Sequence, residues 1–179
     1  MGKDSKRILQ KNDPVLRQKA KSIVDFKTPL LTETIESMKT ALAKEHDGVA
    51  IAAPQIGISE RIFVVSHKVF DGSLTKEDTT PIVPTKDQVF INPTIIKKSQ
   101  QKKWLPEGCL SVRHWYGETH RYARVTIRAY DEEGNEFTRG SSGLLAQIFQ
   151  HEIDHLDGIL FSDHARKLSE VLPEKDKTP

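Results

Sequence analysis

The chain has 179 residues, a length typical of one domain, and its 36% apolar content is enough for one modest core. Its 27 basic and 25 acidic residues leave a net charge of +2, which gives no basis for general nucleic-acid or anionic-membrane binding. No apolar run approaches the roughly 18 residues of a membrane span, and the single cysteine excludes an intramolecular disulfide.

In chain order, Met1 to Arg7 is charged, with no apolar signal-peptide core behind it. The expectation is a soluble cytoplasmic protein. Asp13-Pro14 reads as a cap followed by proline at the first position of a short helix. Thr28-Pro29 repeats that signal, and Leu31, Ile35, Met38 and Leu42 follow at helical spacing in a segment running to Glu45. Arg61 to Ser66 is rich in β-formers and reads as a buried strand. From His67 to Gln88 the pattern dissolves into turn signals. Val89-Phe90-Ile91 resumes a strand, which is expected to stop at Asn92-Pro93. Val125 to Ala129 alternates and meets the hairpin loop Asp131-Glu132-Glu133-Gly134-Asn135, with Glu136-Phe137-Thr138 as the return strand. A long helix follows from Ser142 to Leu156 and ends before Gly158. The tail Pro173 to Pro179 is charged, poor in apolar residues and expected to be disordered. Residues 1–172 form one expected domain. Helices early and late with short strands between them give an α+β class rather than a regular βαβ array.

The segment with chemical content is Gln150-His151-Glu152-Ile153-Asp154-His155, which contains H-E-x-x-H. Residues four apart on a helix share a face, so His151 and His155 can reach one divalent ion. Glu152 is offset by about 100° at 3.6 residues per turn, which places it beside such an ion rather than on it. Metal-assisted hydrolysis needs this pairing: an ion that acidifies water and a carboxylate that moves the proton. Leu144, Ile148, His151 and His155 share one side of the helix, so the histidines continue an apolar stripe expected to face the interior.

A catalytic ion takes about three protein ligands. The downstream pattern H-E-x-x-H-x-x-G-x-x-H is met at Gly158 but has Phe161 in the last position. His164 comes three residues too late, and Glu170 adjoins the polar tail. Upstream, Glu107-Gly108-Cys109-Leu110-Ser111 holds the only cysteine, and a thiolate is a strong ligand for a divalent cation. A lone cysteine is more often buried and inert, so Cys109 gains weight only from the two histidines.

Three ordered segments, Gly48-Val49-Ala50-Ile51-Ala52-Ala53-Pro54-Gln55, Glu107 to Ser111 and Gln150 to His155, together resemble peptide deformylase. The looser likeness runs from about Asp13 to Asp163. The resemblance implies an α+β fold with antiparallel sheets packed around a central metal-binding helix. It implies removal of the formyl group from the N-terminal formyl-methionine of nascent polypeptides, with release of formate. By similarity, Cys109, His151 and His155 hold the ion, and Glu152 is the general acid/base. Gln55 and the backbone N–H of Leu110 stabilise the oxyanion, a role open to neutral donors. On its own Gln55 would be an ordinary loop-anchoring glutamine. Val49, Ala50, Leu144 and Ile148 shape the methionine pocket. Glu107 orients a ligand with Arg121 as its partner, the alternative being two solvated charges.

The resemblance implies Fe²⁺ as the native ion, with Zn²⁺, Ni²⁺ or Co²⁺ acceptable, since a His₂Cys set does not choose among them. It allows a transient ribosome contact but no nucleic acid or membrane partner of the chain's own. Three features depart from the family pattern. Ala50 replaces a glycine, and an ordinary β conformation is expected there. Arg113 and Tyr116 stand where a proline and a nearby arginine are usual. His67 to Gln88 has the look of an insertion. Two other readings are an H-E-x-x-H endopeptidase, which lacks a downstream ligand here, and a non-catalytic binding protein on the same scaffold.

Overall fold

The computed structural model describes residues 7–70 and 86–172. The tail expected at 173–179 and most of the expected insertion, residues 71–85, lie outside the described residues. At the base of that excursion Asp87 accepts hydrogen bonds from the His67 backbone N–H at 3.0 Å and its ring at 2.9 Å.

Proline-led helices form where the sequence places them. Asp13 caps a 3-10 turn at Pro14–Arg17, its carboxylate accepting from the Val15 N–H at 3.1 Å. Thr28 caps helix α1, Pro29–Ala43, in the same way at Leu31. Strands follow at Ala50–Ala52 (β1), Ile62–Val65 (β2), Gln88–Lys98 (β3), Lys102–Gly108 (β4), Trp115–Tyr122 (β5), Arg124–Tyr130 (β6), Glu136–Ser142 (β7) and Arg166–Glu170 (β8). Helix α2, Gly143–Leu156, lies between β7 and β8 in the chain.

The strands make two antiparallel sheets, one in the order β1-β2-β3-β6-β7 and a smaller one in the order β4-β5-β8. In β2 all four side chains are buried because the larger sheet has a helix on each face. Phe63 and Val65 pack with Phe90, Ile127, Phe149 and Leu156 on the α2 side. Ile62 and Val64 pack with Leu31, Ile35, Met38 and Leu42 on the α1 side. Period 2 in the strand and period 3.6 in the helices thus meet in one core. The smaller sheet closes over the outer side of α2, where the Gln150 amide donates to the Tyr122 carbonyl and accepts from its N–H.

The expected end of a strand at Asn92-Pro93 is corrected: β3 continues to Lys98. The register shifts between Ile91 and Thr94, so the dipeptide forms a bulge rather than a stop. Asn92 sits at φ 49°, a conformation asparagine tolerates, and its side chain bonds both the N–H and the carbonyl of Ile23 at 2.8 Å.

Candidate active site

α2 carries the H-E-x-x-H segment between the two sheets, and β4 and the turn after it bring Cys109 to the same place. One ligand atom each from Cys109, His151 and His155 lies within 4.8 Å of the others. The Cys109 Sγ is 3.1 Å from His155 Nε2. His151 points its Nδ1 at Glu107, 3.1 Å away, which leaves Nε2 for an ion. Two imidazoles and one thiol suit a borderline-soft divalent cation.

The electrostatics fit that donor set. Burial would push the Cys109 thiol up, but the His155 and His151 imidazoles overcome it and bring it down to about 5. That coupling favours the thiolate over the thiol. Burial pushes the Glu152 carboxyl up, partly opposed by the two imidazoles. Among the described residues its Oε2 is buried without a partner, as is His155 Nδ1. A carboxylate in that condition is poised to take and return a proton.

Behind the histidines runs a buried ion-pair chain. Arg121 donates to both Glu107 oxygens, at 2.8 and 2.9 Å, and to Asp154 at 2.5 Å. Glu107 and Arg121 are 7% and 5% exposed, so they are not the two solvated charges of the alternative reading. Burial works against the Glu107 charge, but its bonds from Arg121 and His151 hold the carboxyl far below the usual carboxylate range. His164 Nε2 lies 3.4 Å from the same Asp154 Oδ2 that Arg121 bonds.

The expected pocket residues gather in one cleft of about 350 Å³, lined by Val49, Ala50, Gln55, Leu110, Leu144 and Ile148 together with Cys109, His151 and Glu152. Gln55 is 2% exposed. Its Oε1 accepts from the Ala52 N–H at 2.8 Å, and its Nε2 donates to Ser111 Oγ at 3.1 Å, 3.7 Å from the Cys109 sulfur. It is thus both a loop anchor and a donor facing the site. The Leu110 carbonyl accepts from Gln10 Nε2 at 3.1 Å, which pins this peptide unit. Ala50 lies in β1 and is absent from the positive-φ residues, so its methyl adds to the wall without backbone strain.

The stripe expected to face the interior needs one correction. Ile148 is 4% exposed, but Leu144 is 41% exposed. Leu144 stands in the first turn of α2, where it lines the cleft instead of the core. Sequence reading also missed Asp154, Ser111 and Gln147. Asp154 lies one turn beyond His151 in the same motif, which was the available signal. Gln147 bonds the Pro106 carbonyl at 2.8 Å from within the cleft lining; its place four residues before His151, on the same helix face, was the available signal.

A thiolate and two imidazoles converging beside a buried carboxylate, at the foot of a cleft, define the class: a metal-dependent hydrolase. Comparison with known proteins narrows it. The model of the polypeptide deformylase family matches residues 5–171. The chain is 43% identical over 141 residues to the peptide deformylase of Roseiflexus sp. (strain RS-1), covering 78% of this chain and 74% of that one. A peptide deformylase from Synechococcus elongatus, solved in complex with actinonin, superposes with a TM-score of 0.77 at 30% identity, covering 93% of this chain and 82% of that one. A class I type b peptide deformylase from Acinetobacter baumannii, solved with Met-Ala-Ser bound, gives 0.74 at 28%, covering 88% and 97%. The chain belongs to the polypeptide deformylase family.

Proposed function

We propose that the chain removes the N-formyl group from the formyl-methionine that begins newly made polypeptides, releasing formate, and that it does so in the cytoplasm with iron(II) as its native ion. The observation that carries this is the convergence of Cys109, His151 and His155 beside the buried Glu152, whose Oε2 has no partner among the described residues. When bound, the ion supplies Lewis-acid polarisation and a more acidic water.

The residues around it have separable tasks. Cys109, His151 and His155 hold the ion, and Glu107, fixed by Arg121, keeps His151 in the right tautomer. Glu152 takes the proton of the attacking water and returns it to the leaving amine. As the formyl carbon becomes tetrahedral, its oxygen gains charge, and Gln55 Nε2 with the Leu110 N–H stabilises it without bringing a counter-charge. Val49, Ala50, Leu144 and Ile148 receive the methionine side chain. A pocket of this kind accepts an unbranched near-isostere such as norleucine, since one methylene changes binding by only about 1–3 kcal/mol. The nascent polypeptide is the partner, with a transient ribosome contact at most.

The test is formate release from a formyl-methionyl peptide by protein prepared anaerobically, with metal content measured on the same sample. Formate release at one metal per chain is the expected result. Cleavage of internal bonds in an unformylated peptide, without formate release, would establish an endopeptidase instead.

A further inference from the structure

We propose that Arg113 and Glu45 form a strap across the cleft, and that Arg113 is a specificity-determining residue that reads the polypeptide main chain beyond the formylated residue. The inference rests on the deformylase reading above and names a second contact region in the same cleft.

The cleft runs between two walls. One is the segment from Asp47 into β1, an edge strand of the larger sheet, with Glu45 just before it at the rim. The other is the turn from Cys109 to His114, beside β4, an edge strand of the smaller sheet. Two side-chain links join the walls. The floor link is the buried Gln55–Ser111 bond at 3.1 Å. The rim link is the ion pair of Arg113 Nη2 with Glu45 Oε2 at 2.6 Å, where the side chains are 40% and 19% exposed. An extended chain leaving the metal end lies between a fixed floor and this rim.

Both ends of the rim link are anchored. The Glu45 N–H donates to the Leu42 carbonyl at 3.0 Å, and its own carbonyl accepts from Gly48 at 3.2 Å. Gly48 packs so closely on it that a Cβ there would come within 2.9 Å of the Glu45 Cβ. Arg113 stands in a tight turn closed by Val112 N–H to Cys109 carbonyl at 3.0 Å and Trp115 N–H to Val112 carbonyl at 3.3 Å. His114 within that turn is at φ 67°.

An ion pair this exposed adds about 0–1 kcal/mol to stability, so stapling the fold is not its main effect. Its chemistry suits a substrate contact better. A guanidinium has five N–H donors, and among the described residues Glu45 is the only recorded acceptor for Arg113. Arg113 also lines the cleft, so its remaining donors are available to an occupant. An enzyme that must act on many different N-termini meets one acceptor in all of them: the main-chain carbonyl. A pinned cation at the rim reads that group whatever side chains follow the methionine.

The experiment compares two substrates on the metal-loaded enzyme: a single-residue formyl-methionine amide, and a formyl-methionyl tripeptide with small uncharged side chains. For Arg113→Ala, the ratio of tripeptide KM to single-residue KM should rise about tenfold or more, as loss of one charge-assisted hydrogen bond implies, with kcat within about twofold. Arg113→Lys should recover part of the loss, since it keeps the charge without the fork, and Glu45→Gln should give a smaller rise. An unchanged ratio for Arg113→Ala, or equal KM rises on both substrates, would overturn the strap while leaving the deformylase reading intact. Wild-type enzyme that releases no formate from either substrate would overturn both.

Discussion

At the scale of single residues, the site depends on groups whose charge is set by their neighbours. Glu152 is buried and, among the described residues, its Oε2 has no partner, which suits the acid/base role proposed for it. Glu152→Gln should keep the ion, because it removes no ligand, yet lose about 10²–10⁴-fold in kcat. Metal analysis alongside formate release checks this, and a near-normal rate at full occupancy would refute the assignment. Glu107 has the opposite character. Its folded carboxyl titrates well below the ordinary value of 4.5, so the stability it contributes is complete above that value and drains away as pH falls through the folded one. Glu107→Gln should cost about 3 kcal/mol at pH 7, because Arg121 would lose a buried partner. The gap to wild type should narrow steadily as the pH drops below 4.5. Denaturant unfolding across pH 7 to about 3 measures it. A constant gap would mean that the carboxylate charge is not what stabilises the pair.

At the scale of elements, α2 brings most of the chemistry together and its end must be well defined. Gly158 follows it at φ 77°, and a Cβ there would meet the Arg17 carbonyl oxygen at 2.7 Å. Positive φ and close approach act together, so Gly158→Ala should destabilise by at least about 1–2 kcal/mol. Thermal unfolding gives the value directly. The loss should appear as stability rather than as a change in KM, since Gly158 is absent from the cleft lining. Much of this element was legible in advance, because a 3.6-residue stripe, a histidine pair on one face and a terminal glycine are local signals. The smaller sheet was not. β8 is exposed at all five positions and β4 at four of seven, so neither shows the alternation that betrays a strand. Asn92-Pro93 misled for a related reason. A turn dipeptide in sequence became a bulge because Ile23, far away in the chain, supplies the asparagine's partners.

At the scale of the whole molecule, the ion ties together parts that the chain keeps apart. Cys109 comes from the turn after β4 in the smaller sheet, and the histidines come from the helix packed on the larger one. A ligand that binds only the native state stabilises it by mass action, about 4 kcal/mol at a thousandfold excess over Kd. Stripping the metal with a chelator should therefore lower Tm by several degrees, and adding back zinc should restore it. A chain whose Tm ignores the chelator would not have its sheets joined through this site. Sequence alone pointed to the two α-helices, the first 3-10 turn, the buried parts of β2 and β3 and the candidate ligand types, because those follow from local periodicity, caps and side-chain chemistry. Only the tertiary structure decided that Asp154 joins Arg121 behind the metal histidine, that Leu144 faces the cleft rather than the core, and that Arg113 meets Glu45 over its rim. Each of these depends on contacts between residues from 33 to 68 apart in sequence, or on which side of α2 the second sheet closes, and no local pattern encodes that distance.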